Sequence, residues 1–479
     1  MFTMGSSNDL TQLIIFGATG DLSAKKILPA LFNISRKKHL PNLKIIGASR
    51  RDWSDSDFSN YVKNLLKVDV STPGWETFSN SLQFSPVNFE KLEDYKQLKN
   101  LLVKNEQAYP QSRKILYFAV APEFFIPIIE SIAKAGILEP DANNYRVIIE
   151  KPFGNDLSSA KKLEEKLESI FQEEQIFRID HVLNRNALLD IALFRKYNSL
   201  FSQIFSKEFV DNIQVTYSES IGVEERGEFY EKTGALRDMV QSHLLEVLAI
   251  VMAILPDNLS TKNFREARKE LVASLIYNPL DIVLGQYQGA EDTDPKLKAY
   301  TQENEVDPSS NVETFTALKL TSSLANWQGV PIFIRTGKRL KEKDISVKFI
   351  FKSLPHGLKA NVLTFKLAPE TIVNLRIWNP VNLEMRSDFK AIDLKHTYDT
   401  EKQIDPYENL LNRIFNDDQL FFVSFLEEIA SWELIDLIRA DYPNLTLEKY
   451  LPGSLGPIGS DELLKKYGKK WFNEDFKYD

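Results

Sequence analysis

The sequence predicts a two-part fold. Residues 1–180 read as a doubly wound parallel α/β unit, and residues 181–479 as a larger α+β unit with a mainly antiparallel sheet. Three observations predict it. Short apolar runs alternate with stretches of helical period over the first 180 residues. The first run turns into its helix on glycine. Beyond residue 180, strands become frequent, and many alternate apolar with polar residues.

The first unit begins with Leu13, Ile14, Ile15 and Phe16, an apolar, β-prone run that meets Gly17. Gly20, Asp21 and Leu22 follow, and then helical spacing at Lys25, Lys26, Ile27, Leu28, Ala30 and Leu31. A buried strand that turns tightly into a helix leaves unpaired N–H groups at the helix start. That is an anion site suited to a dinucleotide pyrophosphate, so the unit is predicted to be Rossmann-like. The glycine spacing is a variant of the usual three-glycine fingerprint, with Ser23 at the last small position. A second strand is predicted over 43–48, helices over 58–68, 90–105 and 157–171, and further strands over 115–120 and 145–149. These short, largely apolar runs suit parallel strands covered on both faces.

In the second unit a helix is predicted over 187–197. Strands follow over 212–217, 314–321, 331–335, 346–351, 361–366 and 371–378. Alternation along them predicts a sheet with one wet face. Helices over 235–253, 405–415 and 425–442 are expected to cover the other. The polar stretch 288–312 reads as a loop, mobile or crossing to a partner.

Composition excludes several classes. A chain of 479 residues is longer than one core usually supports, so two or three domains are expected. With 43% hydrophobic and 26% charged residues it is globular rather than disordered. Cysteine is absent, which rules out disulfides, thiolate zinc sites and a catalytic thiol; no metal site is expected. No apolar run approaches the ~20 residues that span a membrane, and MFTMGSSND lacks a basic or apolar signal region, so a cytoplasmic protein is expected. The net charge of −8 repels nucleic-acid phosphates, so any phosphate ligand must be held by a local cationic cluster.

That makes particular cations informative. The second strand ends in Gly47-Ala48-Ser49-Arg50-Arg51 with no acid before Asp52. A coenzyme carrying a 2′-phosphate needs cations there, and plain NAD needs an acid. Arg50 is read either as a solvated loop arginine or as the group that stacks on adenine or pairs with the 2′-phosphate; the second implies NADP. Lys151 follows a buried strand in Glu150-Lys151-Pro152-Phe153-Gly154, either pointing into the ligand crevice or capping a turn. Phe177-Arg178-Ile179-Asp180-His181 sets an acid beside an imidazole at the domain boundary. His243 follows Arg237-Asp238-Met239-Val240-Gln241-Ser242. On an α-helix Asp238 and His243 would differ by about 140°. If Asp180 meets His243, the two form a carboxylate-oriented imidazole, a general base for a hydroxyl proton.

These segments resemble the glucose-6-phosphate dehydrogenase family over nearly the whole chain. The resemblance rests on Gly17 to Leu22 (GATGDL), Glu150 to Gly154 (EKPFG), Arg178 to His181 (RIDH), Glu224 to His243, Arg335 to Lys338 (RTGK), Tyr450 to Pro457 and Gly468 to Trp471. It implies that His243 is the general base and Asp180 its orienting acid, with hydride passing from sugar C1 to the nicotinamide. It implies a 6-phosphate held by His181 and Arg185, and sugar contacts from Lys151, Glu219, Asp238, Lys338 and Lys343. It implies coenzyme contacts from Gly17, Thr19, Gly20, Asp21, Leu22, Arg50 and Lys151, and a cis bond between Lys151 and Pro152. The coenzyme would be NADP, with NAD left open by Thr19. The assembly would be a homodimer or homotetramer formed sheet on sheet. A structural second NADP is left open, since Arg339, Lys341 and Lys343 also read as a solvated charge run.

The chain departs from the family after RIDH. Val182-Leu183-Asn184-Arg185-Asn186 stands where the family has Tyr-Leu-Gly-Lys-Glu. A phosphate-gripping hydroxyl is lost, and arginine keeps the charge with another geometry. Ala368 also stands before Pro369, where many members carry a polar residue. The expected function is oxidation of glucose 6-phosphate at C1, the first step of the pentose phosphate pathway. The alternatives are the same mechanism on another sugar or sugar phosphate, and a non-catalytic NADP-binding paralogue.

Overall fold

The computed structural model describes residues 9–37, 42–138, 143–180, 186–290, 294, 297–353, 359–380, 389–398 and 405–473. The chain divides into two compact units. One comprises 1–185, 260–265 and 404–429; the other 186–259, 266–403 and 430–479.

The first unit holds a six-stranded parallel sheet. Its strands are β1 (Leu10–Phe16), β2 (Leu43–Ser49), β3 (Leu82–Pro86), β4 (Ser112–Phe118), β5 (Tyr145–Glu150) and β6 (Ile176–Ile179), in the order β3-β2-β1-β4-β5-β6. The order reverses at β1 and β4, which is where ligands sit in a doubly wound sheet. Both faces are covered, so the strands are mainly apolar, although polar residues such as Gln12, Lys114 and Arg178 are buried in them. Leu13, Ile15, Ile45, Ile115, Tyr117, Ile148, Phe177 and Ile179 face one core. Ile14, Phe16, Ile46, Leu116, Phe118, Val147 and Ile149 face the other. Helix Phe125–Lys134, with Phe125, Ile128, Ile129 and Ile132 buried, had not been expected from the sequence.

The segment 404–429 departs from the expected boundary. Helix Pro406–Phe415 was expected on the second sheet. It instead lays Tyr407, Leu410, Leu411 and Ile414 into the first core. Burial of that apolar face, not closeness in sequence, decides its place.

The second unit holds a nine-stranded sheet. Its strands are β7 (Val210–Ser218), β8 (Leu275–Tyr287), β9 (Phe315–Ser322), β10 (Ile332–Gly337), β11 (Asp344–Phe351), β12 (Val362–Ala368), β13 (Ile372–Pro380), β14 (Phe389–Thr397) and β15 (Leu447–Tyr450). The order is β14-β13-β12-β11-β7-β10-β9-β8-β15. Neighbours run antiparallel except β7 with β10 and β8 with β15. The wet face is narrower than alternation suggested. β10 is buried at every position, and the longest exposed runs lie in β14 at one edge and in the first half of β8. Within the described part of the polar stretch 288–312, Tyr300 is fully buried and its hydroxyl donates to Glu231 at 2.6 Å. No described helix is long and apolar enough to cross a membrane.

Candidate active site

The expected coenzyme turn lies at the carboxyl end of β1. Gly17 has φ +84°, and a Cβ there would stand 2.3 Å from the Ala119 carbonyl oxygen. Only glycine permits this turn and this approach to the end of β4. The Ser23 hydroxyl donates to the Gly17 carbonyl at 2.9 Å, and the Gly20 amide donates to the same oxygen at 3.0 Å. Asp21 and Leu22 open the helix, so their amides have no carbonyl one turn behind them. Thr19 is half-buried, and Gly20 is exposed. The Asp21 carboxylate is turned to Lys25 at 2.6 Å, which offsets its charge near the amide cluster. Helix N-termini of this kind hold pyrophosphate, and the residues present fit one.

Arg50 and Arg51 lie just past β2, both exposed. The Arg51 guanidinium sits 4.9 Å over the Trp53 ring, leaving Arg50 as the open cation of the pair. At the other strand ends, Lys151 follows β5 and Asp180 follows β6, because Glu150 and Ile179 are register partners. Lys151 Nζ donates to Asp180 Oδ2 at 3.3 Å, and the Asp180 side chain is wholly buried. The Lys151–Pro152 bond is cis.

The sugar-side candidates gather in the second unit. β7 and β10 run parallel, with Ser218 paired to Gly337. Glu219 and Lys338 therefore leave neighbouring strand ends, and Lys338 Nζ donates to Glu219 Oε2 at 2.5 Å. Lys338 is buried, with its ammonium 5.3 Å from the Tyr230 ring centroid. Lys343 is exposed.

The segment expected as one helix over 235–253 is two. Leu236–Leu244 is π-helical, and an α-helix follows over Leu245–Met252. Residues five apart in an i→i+5 helix lie about one turn apart, so Asp238 and His243 share a face. This corrects the angle expected from an α-helix. The π-helix packs over β7 and β10. His243 is buried and stacks with Tyr217 of β7, ring centroids 6.5 Å apart and planes 20° from parallel. Asp238 is bridged by Arg226 at 3.2 Å through Oδ1, while its Oδ2 is buried with no partner among the described residues.

Glu313 sets the start of this helix. Its Oε1 accepts from the Leu236 amide at 3.0 Å and from the Tyr442 hydroxyl at 3.2 Å. Burial raises its pKa above the usual carboxylate value. Gly234 adopts φ +65°, and a Cβ there would stand 2.4 Å from Glu313 Oε1. A side chain at 234 would expel the capping carboxylate. Sequence reasoning missed Glu313 and Tyr217, since nothing local links them to the helix they hold.

His181 and Arg185, the expected phosphate cations, lie outside the described residues, as do Val182 and Asn184. Arg339 is not part of a solvated run: it bridges Glu303 at 3.3 Å and lies over Tyr287. Lys341 is exposed.

Two family descriptions tile the chain. "Glucose-6-phosphate dehydrogenase, NAD binding domain" matches residues 14–189, and "Glucose-6-phosphate dehydrogenase, C-terminal domain" matches 192–472. The chain belongs to the glucose-6-phosphate dehydrogenase family. Curated family members agree over most of their length. The glucose-6-phosphate 1-dehydrogenase of Bacillus subtilis (strain 168) is 33% identical over 448 residues, covering 90% of this chain and 91% of its own. That of Streptococcus pneumoniae is 34% identical, covering 89% of each. A solved glucose-6-phosphate dehydrogenase in complex with glucose-6-phosphate superposes with a TM-score of 0.90 at 28% identity, covering 99% of this chain and 100% of its own. As a member of the family the chain is an oxidoreductase, and its first unit is a nicotinamide-coenzyme domain.

Proposed function

We propose that this protein is a glucose-6-phosphate 1-dehydrogenase that oxidises D-glucose 6-phosphate at C1 to 6-phospho-D-glucono-1,5-lactone with NADP. The observation that carries the reading is the shared face of Asp238 and His243 over the strand ends that release Glu219 and Lys338. A base, two carboxylate acceptors and a cation are what a ring hydroxyl cluster requires.

His243 takes the proton from the C1 hydroxyl, and the charge developing on that oxygen drives out the hydride. A nicotinamide held by the first unit would supply the acceptor for that hydride. Asp180 stabilises the imidazolium, and Lys151 balances Asp180. Glu219, Asp238, Lys338 and Lys343 hold sugar hydroxyls, and His181 and Arg185 hold the 6-phosphate. Gly17, Thr19, Gly20, Asp21 and Leu22 form the pyrophosphate turn. Arg50 answers the 2′-phosphate. The implied assembly is a homodimer or homotetramer using β14, an open sheet edge with Leu394 exposed. The implied compartment is the cytoplasm.

A panel of substrates and coenzymes tests the reading. Glucose 6-phosphate is expected to exceed free glucose in kcat/KM by at least about 10²-fold, from two charge-assisted contacts to phosphate. Equal turnover would remove the phosphate assignment. A different sugar phosphate in first place would favour the same chemistry on another substrate, as the departures at Val182, Asn184 and Arg185 allow.

Arg50→Ala is expected to raise the KM for NADP by about tenfold or more and to leave that for NAD nearly unchanged. A uniform loss on both coenzymes would detach Arg50 from the 2′-phosphate.

A further inference from the structure

We propose that Glu150 is a positioning residue, a proton-holding carboxyl whose charge state sets the field at the Asp180–Lys151 pair. The proposal deepens the function above and rests on Asp180 being the partner of the base.

The geometry is local to the first unit. Glu150 ends β5 on the same face as Ile148, and Ile148 is the register partner of Tyr117 on β4. Side chains two apart on a strand share a face. The Tyr117 hydroxyl accordingly donates to Glu150 Oε1 at 2.7 Å. A second hydroxyl arrives from Tyr407, at the start of the helix that joins this unit from far along the chain. On the other side of Glu150, Lys151 and Asp180 form their own pair.

Some of Glu150's surface is open, yet desolvation of its carboxyl is the largest influence on its proton, and it pushes the pKa up to about 7. The two tyrosine hydroxyls act in the opposite sense by bonding the carboxylate, while the Asp180 charge adds to the rise. Tyr117 and Tyr407 are themselves pushed up by burial and by Glu150, so both stay neutral donors. Asp405, beside Tyr407, is the further charge in this neighbourhood.

The signs follow. Below neutral pH Glu150 is protonated, and Lys151 answers Asp180 alone. Above it, Glu150 is an anion, and the three groups together carry one net negative charge. That charge favours a protonated base in the transition state, so ionised Glu150 is the faster form. Glutamine mimics the protonated form and cannot ionise.

The test is the pH profile of kcat for wild type, Glu150→Gln and Tyr407→Phe. The ratio of wild type to Glu150→Gln is expected near one at about pH 6 and to grow to about fivefold at about pH 9. Tyr407→Phe removes a donor to the carboxylate and is expected to move the inflection to higher pH. A uniform loss at all pH values, with unmoved inflections, would mean a structural role and overturn the proposal. Infrared titration of the unliganded protein supplies a readout without turnover. A protonated-carboxyl C=O band that disappears near pH 7 and is missing from Glu150→Gln is expected; a spectrum without it also overturns the proposal. Asp180→Asn separates this failure from that of the underlying reading. Full activity in that variant would end the role of Asp180 itself, whereas a large loss there with a flat Glu150→Gln ratio would end only the role of Glu150.

Discussion

His243→Asn is expected to lower kcat by about 10²–10⁴-fold with less than about a threefold change in KM for the sugar phosphate. Asparagine fits the buried site and keeps a hydrogen-bonding group, but it cannot accept a proton near neutral pH. Substrate affinity is expected to survive because Glu219, Asp238 and Lys338 are held by contacts that do not involve the imidazole. Lys338 is tied to Glu219, and Asp238 to Arg226. The lost term is one made only as the hydroxyl proton departs, so it appears in kcat. Steady-state kinetics on both substrates would settle it. An unchanged kcat would remove His243 from the mechanism, and a loss confined to KM would make it a binding group.

Arg178→Leu is expected to destabilise the first unit by about 3–5 kcal/mol, measured as a fall in denaturant midpoint. Arg178 is 1% exposed and lies on β6, two residues before Asp180. Its guanidinium bridges Glu164 at 2.5 Å and Glu173 at 2.8 Å. Removing it leaves the Glu164 carboxylate, on a side chain 4% exposed, without its cation. Glu173 keeps a second cation in Arg265 at 3.4 Å, so Glu164 bears most of the penalty. Replacing both Arg178 and Glu164 by leucine is expected to recover much of the loss, since an apolar pair of similar bulk often matches a buried ion pair. A single variant as stable as wild type would show that the bridge contributes nothing.

The coenzyme half was legible because its signals are local. A run of Leu13 to Phe16, a glycine and a helical period need no information from elsewhere in the chain to specify strand, turn and helix. Gly17 then bore out the reading at its sharpest point, with a positive φ and no room for a Cβ. The π-helix was not legible. Its apolar residues satisfy an α-helical period well enough, and its first amide is bonded by Glu313, seventy-seven positions from Leu236. The angle between Asp238 and His243 was therefore wrong from the sequence.

Helix Pro406–Phe415 shows the other limit. Its amphipathic pattern predicted a helix that covers a sheet, and it does cover one. The pattern carries no address, and the sheet it covers lies in the first unit. Tyr407 consequently reaches Glu150 by a route that sequence distance conceals.

By itself the sequence determined the family, a parallel sheet followed by a mainly antiparallel one, the glycine turn and the candidate residues for the chemistry. Tertiary structure alone decided which of those residues meet: Lys338 with Glu219, Lys151 with Asp180, and Tyr117 and Tyr407 with Glu150. The physical reason is range. Backbone preference and side-chain period act over a few residues, whereas neighbours across strands and cores are chosen by burying whole faces, a cooperative outcome that no single segment encodes.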